Sequence, residues 1–163
     1  EMQRSLVGSE MCIRDRDEIC ALEQELQEYV HEAYEYQNNT FPSHPLYYIS
    51  YFEMRYDQCQ VLHNLHYEMK KIRTMPKEAA VISEYIRYLI PYVVEYNHPE
   101  SQSEELARIC NEMKKEELPQ TMEALESRAM LYHILMDLEE FLVYKARFIR
   151  GLDEQQKRKY WKA

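Results

Sequence analysis

The chain has 163 residues, 45% hydrophobic and 30% charged, with a formal net charge of -9. That is enough for one ordinary domain, too apolar for a disordered chain and too negative to seek a phosphate backbone. Two glycines, Gly8 and Gly151, leave little material for hairpin turns, phosphate-cradling loops or nucleophile elbows.

The chain starts at Glu1 without a methionine and reads as a piece of a longer product. Its opening run has no helical or strand period. From Leu6 through Asp15 it resembles the in-frame translation of a transposon-type sequencing adapter. Residues 1–16 are therefore expected to lie outside the fold, residues 17–150 to form a helical bundle, and residues 151–163 a polar tail.

From Asp17 amphipathic helices follow one another. The first is expected to run to about Gln37 with Ile19, Leu22, Leu26, Val30 and Ala33 on one face, and to stop at Asn38-Asn39-Thr40-Phe41-Pro42. Ser43 offers an N-cap and Pro45 a first turn for a second helix. Its stripe is Ile49, Phe52, Tyr56, Cys59, Leu62, Leu65, Met69 and Ile72. Met75-Pro76 opens a third helix, carried by Ala79, Ile82, Ile86, Leu89 and Val93. After the break at Asn97-His98-Pro99, Ser101 and Glu104 match a capping box for a fourth, with Leu106, Ile109 and Met113 inward. Leu118-Pro119-Gln120 turns the chain, and Thr121 caps a fifth helix whose face is Leu125, Ala129, Tyr132, Leu135 or Met136, Leu142 and Ile149, with Gly151 at its C-cap. Short links between long helices predict an all-α, antiparallel up-and-down bundle of about five helices. No stretch reaches the roughly 18 uncharged apolar residues of a membrane span.

Chemistry is sparse. The cysteines, Cys12, Cys20, Cys59 and Cys110, have no CxxC spacing and read as reduced thiols of a cytosolic setting. A dimetal site would need two inward Glu-x-x-His pairs and two more glutamates. Glu28-x-x-His31 lies off the apolar face, and Glu95-x-x-His98 runs into Pro99. His63 and His66, with Glu68 nearby, lack further ligands. No catalytic residue, metal ligand or cofactor is assigned. The 15 tyrosines suit the wet edge of a core, or else a groove for an aromatic ligand or an apolar helix. Arg55, one turn from Phe52 and Cys59, needs a partner, for which Glu126, Asp137 and Glu140 are candidates.

Two segments carry a resemblance. Tyr51-Phe52-Glu53-Met54-Arg55-Tyr56-Asp57-Gln58, followed by Val61-Leu62, is similar to the Y-x-x-M-R-x-x-Q-x-x-x-L helix of the bacterial aromatic acid exporter family's C-terminal domain. Leu118-Pro119-Gln120-Thr121, then Glu126-Ser127-Arg128-Ala129 and Leu138-Glu139-Glu140-Phe141-Leu142, resembles that domain's closing helix. The residues singled out by these motifs are Tyr51, Met54, Arg55, Gln58, Leu118, Pro119, Glu126, Arg128 and Ala129, as packing or partner contacts. The resemblance implies a cytoplasmic accessory domain that follows a membrane domain absent from this chain, forms homo-oligomers, and acts in assembly or regulation. An aromatic carboxylate ligand would need Arg55 or Arg128 as its positive site. From the residues alone, a stand-alone cytosolic interaction or signalling bundle remains the alternative, and a dimetal enzyme a third.

Overall fold

The computed structural model describes residues 2–39, 44–73 and 75–161, with side chains from residue 14 in the first segment and residue 46 in the second. The described residues are all-α. They form α1 (Met2–Asn39), α2 (His44–Lys71), α3 (Ala79–Leu89), a 3-10 turn (Ile90–Tyr92), α4 (Glu100–Met113), α5 (Met122–Gly151) and α6 (Glu154–Tyr160). Contacts divide the chain into two compact units, Glu1–His66 and Tyr67–Ala163.

In the first unit α1 and α2 run antiparallel, because partners climb one helix as they descend the other. Cys59 Sγ lies 3.8 Å from the Ile19 carbonyl, Gln27 donates to the Tyr56 hydroxyl at 2.9 Å, and the Tyr34 hydroxyl donates to Glu53 at 2.6 Å. Tyr29 stacks on Phe52 with ring centroids 5.3 Å apart. Leu26 is buried as expected, but Leu22 is 45% exposed. Glu23 takes the inner position instead, accepting from Gln60 and lying 3.4 Å from His63 Nδ1. Helix α1 also continues back through the adapter-like segment to Met2. The cap expected at Ser43 and the stop at Thr40–Pro42 lie outside the described residues.

On α2, Ile49, Cys59 and Leu65 are buried as the periodicity requires. Tyr47, Met54, Gln58 and Val61 are buried as well, at steps of seven, four and three that define a second inner row. Met69, expected inward, is exposed.

The second unit is also antiparallel. Lys77, just before α3, pairs with Glu116, just after α4, at 2.5 Å. Near the other end of α3, the Tyr85 hydroxyl donates to the Gln102 carbonyl at 2.7 Å. Helix α3 stops at Leu89 rather than running through Val93, because Pro91 brings no N–H and clashes with a continuing helix. The chain tightens into the 3-10 turn, closed by Val93 N donating to the Ile90 carbonyl at 3.2 Å, and Val93 is left 44% exposed. The capping box at Ser101 does not form. Helix α4 starts one residue after Pro99, whose carbonyl accepts from Ser103 N at 2.9 Å. Leu106, Ile109 and Met113 are buried as expected.

Thr121 caps α5 by accepting from Ala124 N at 3.2 Å. The inner face of α5 is Ser127, Arg128, Leu131, Ile134, Leu135, Leu138, Phe141, Leu142, Lys145, Phe148 and Ile149. Leu125 and Met136 point outward and Ala129 is exposed, so the stripe read from sequence is rotated over the helix's first half. Each fully buried leucine here contributes about 2 kcal/mol of transfer free energy. Gly151 remains inside α5, whose cap is Leu152. The terminal segment then forms α6 behind a capping box, with Gln156 N donating to Asp153 at 2.7 Å and Asp153 N to the Gln156 side chain at 3.0 Å.

Candidate functional site

The polar interior of the second unit is built around two cations of α5. Arg128 is 6% exposed. Its guanidinium donates to the carbonyls of Glu117, at 2.5 Å, Met113, at 2.5 Å, and Glu116, at 3.3 Å. Met113 is the last residue of α4, so Arg128 supplies donors to carbonyls that an α-helix leaves unpaired, at the negative end of its dipole. Glu78 lies at the outer limit of ion pairing, 4.0 Å from Nε.

Lys145 is 4% exposed and performs the corresponding task near the start of α4. Its ammonium donates to the Val94 carbonyl at 3.2 Å and to the Glu95 carbonyl. It also lies 5.2 Å from the Trp161 ring centroid and 5.6 Å from that of Phe148, within cation–π range. The segments flanking α4 are thus tied to one partner helix by charge-assisted hydrogen bonds, which are shorter and stronger than neutral ones. Arg128 carried a family motif. Lys145 was missed, although a lone cation on the row of Leu138, Leu142 and Ile149 was a signal available in the sequence.

The first motif forms a string along α2. Arg55 donates from Nε to the Tyr51 hydroxyl at 3.1 Å and from Nη1 to Gln58 Oε1 at 2.9 Å. Met54 and Gln58 are buried, while Tyr51 and Arg55 are half-buried. Within its own unit Arg55 is held by these two neutral groups, while the carboxylates expected to pair with it, Glu126, Asp137 and Glu140, belong to the second unit. Of the closing-helix motif, Leu118 is 80% exposed, Glu126 and Ala129 are exposed, and Pro119 is half-buried.

Among the described residues, the second unit has grooves between α3 and α4 and between α4 and α5. One, about 650 Å3, runs between α3 and α4 and is lined by Val81, Glu84, Tyr85, Tyr88, Ser101, Glu104, Glu105, Arg108 and Ile109. Its cation, Arg108, is held by both oxygens of Glu105 at 2.9 and 2.6 Å. That pairing pulls the Glu105 carboxyl below its ordinary value, and with Arg108 so engaged, Glu84 and Glu104 leave the groove wall net negative. The other, about 510 Å3, lies between α4 and α5 with Leu106, Cys110, Tyr132, Leu135, Met136 and Val143 as walls and Lys114 and Glu139 among its lining. Burial, with the Glu139 carboxylate nearby, pushes the Cys110 thiol up, and burial does the same for Cys59. Neither thiol is poised as a nucleophile.

Among the described residues no three or more His, Cys, Asp or Glu side chains stand where they could hold a metal ion. His31 pairs with Glu35 at 3.3 Å and His98 packs edge-on against Trp161 at 4.9 Å. No helix among the described residues is long and apolar enough to cross a membrane.

Fold and interior define the class: an all-α helical module whose buried cations bind its own backbone. The particular family follows from comparison. Residues 1–146 match the family described as "Putative aromatic acid exporter C-terminal domain", and the chain belongs to that family. It is 30% identical over 106 residues to "Uncharacterized protein YqjA" of Bacillus subtilis (strain 168), an overlap of 65% of this chain and 33% of that protein. The chain therefore spans about a third of the length of the relative it matches. In structure it is similar to the "putative membrane protein from Clostridium difficile 630", with a TM-score of 0.71, 25% identity, and coverage of 81% of this chain and 78% of that one.

Proposed function

We propose that this domain is a cytoplasmic accessory part of an aromatic acid exporter, serving assembly or regulation of a membrane-embedded translocating part and carrying no chemistry of its own. Family membership and the length of the relative support this reading. The observation that carries the structural half is the commitment of the buried cations. An aromatic carboxylate needs an available positive group, and Arg128 and Lys145 both donate to backbone carbonyls. Arg55 is engaged by Tyr51 and Gln58. The domain acts as a piece held against neighbours, including further copies of itself, rather than as a substrate trap.

The test is a titration of the domain with 4-hydroxybenzoate, followed by intrinsic fluorescence. No saturable change is expected up to millimolar ligand. Saturable binding abolished by Arg128→Met or Arg55→Met in a folded variant would assign substrate recognition to this domain instead.

A further inference from the structure

The second unit carries a surface that its interior does not require. After Pro91 stops α3, the chain exposes Ile90, Tyr92, Val93, Val94 and Tyr96, between 39% and 66% of each residue. A run this apolar and this exposed is unusual outside an interaction site. It is held against the C-terminal end of the chain. Lys145 binds the Val94 and Glu95 carbonyls and lies over the Trp161 ring, and Trp161 meets Tyr96 edge-on at 6.0 Å.

That neighbouring end is basic in a chain of net charge -9. Arg147 and Arg150 are exposed on the last turns of α5, Arg158 and Lys159 are exposed on α6, and Lys157 is half-exposed beside Glu154 at 3.2 Å. Asp153 and Glu154 are the acidic residues of the same stretch, and half-buried Glu95 is the one acid within Ile90–Tyr96. Acids more than about 10 Å away are largely screened at physiological salt, so the local excess decides what this surface attracts.

We propose that Ile90–Tyr96 together with α6 forms a docking surface for an anionic lipid bilayer. Apolar side chains for the acyl boundary, Tyr and Trp rings for the headgroup level and a flanking cluster of Lys and Arg are the combination such a surface binds. A protein partner would have to match exposed valines and a cationic rim together, whereas an anionic leaflet presents both complements at once. The inference rests on surface chemistry alone, and its failure leaves the accessory-domain reading untouched.

Trp161 is the only tryptophan of the chain, so its emission reports this surface. The 163-residue protein is mixed with vesicles of phosphatidylcholine, or of phosphatidylcholine with equimolar phosphatidylglycerol, and followed by tryptophan emission and co-sedimentation. The proposal expects a blue shift and sedimentation with the anionic vesicles, both weakened by added salt. The triple variant Lys157→Gln, Arg158→Gln, Lys159→Gln should weaken partition about fivefold per cation, or roughly 100-fold in all. Val93→Ser with Val94→Ser should weaken it while circular dichroism stays unchanged. Absence of binding to anionic vesicles overturns the proposal, as does binding that neither variant alters. A blue shift that grows with protein concentration without lipid would overturn it in favour of a contact between copies.

Discussion

Replacing Arg128 with methionine removes the donors that close α4 while keeping most of the side chain's apolar volume. The three acceptors do not respond alike. Glu116 and Glu117 are exposed residues, and their carbonyls can take water in place of the guanidinium. The bond to the Met113 carbonyl is buried, and an acceptor left dry and unpaired costs about 1–3 kcal/mol. Loss of the cation at the helix C-terminus adds about 0.5–1 kcal/mol. Relief of the buried cation's own desolvation acts in the opposite direction, which holds the net cost near 2–3 kcal/mol. With a urea slope of about 1–2 kcal/mol/M for a protein this small, the midpoint should fall by roughly 1–3 M at unchanged slope. Arg128→Lys should recover little, because one ammonium lacks the planar fork that reaches several carbonyls. Urea unfolding followed by far-UV circular dichroism checks both variants. A midpoint for Arg128→Met within about 0.3 M of the wild type would refute the clamp.

Lys145→Met, at the other end of α4, should cost about 2 kcal/mol by the same reasoning, and urea melts of the single and double clamp variants would show whether the losses add. Asp137 on α5 has Oδ2 buried with no hydrogen-bond partner among the described residues, and burial, then Glu68 and Glu140, raise its carboxyl above the ordinary 3.8, with His133 acting the other way. The folded state therefore holds that proton more tightly than the unfolded chain. This carboxyl destabilises increasingly as pH rises through 3.8 towards its folded value, and the cost is complete above that value. Asp137→Asn should stabilise the protein by about 1 kcal/mol at pH 7 and by little at pH 3 in parallel thermal melts. A chain beginning at Asp17 should unfold within about 0.5 kcal/mol of the full chain in urea, and a larger loss would make residues 1–16 part of the fold. Cys59 and Cys110, both shifted up by burial, should react with a thiol reagent far more slowly in native protein at pH 7 than after unfolding, by mass-spectrometric counting.

The helical character was legible because apolar residues recur at three and four, and α4 shows this most simply: Leu106, Ile109 and Met113 are read from the sequence and buried in the structure. Helix α5 was harder for a physical reason. Its inner positions near the start belong to Ser127 and Arg128, polar residues that a hydrophobic pattern assigns to solvent, so a stripe begun at Leu125 starts on the wrong side. The same displacement happens on α1, where Glu23 sits inward beside Gln60 and Leu22 does not. Pro91 gives the reverse lesson. A periodic pattern through Val93 outweighed a helix breaker in the reading of the sequence, whereas in the fold the missing N–H ends α3 at Leu89. The motif residues Tyr51, Arg55 and Gln58 were readable as a group through resemblance, but not as a hydrogen-bonded string, because a guanidinium suggests a carboxylate partner before a hydroxyl and an amide.

The most direct test of the accessory-domain account is efflux of labelled 4-hydroxybenzoate from cells that express the gene product carrying this domain, intact or lacking residues 17–150. The account predicts that the intact protein exports the acid and that the deletion lowers the efflux rate several-fold or more while the remaining protein still reaches the membrane. Undiminished efflux without the domain, or no efflux from the intact protein, would contradict it.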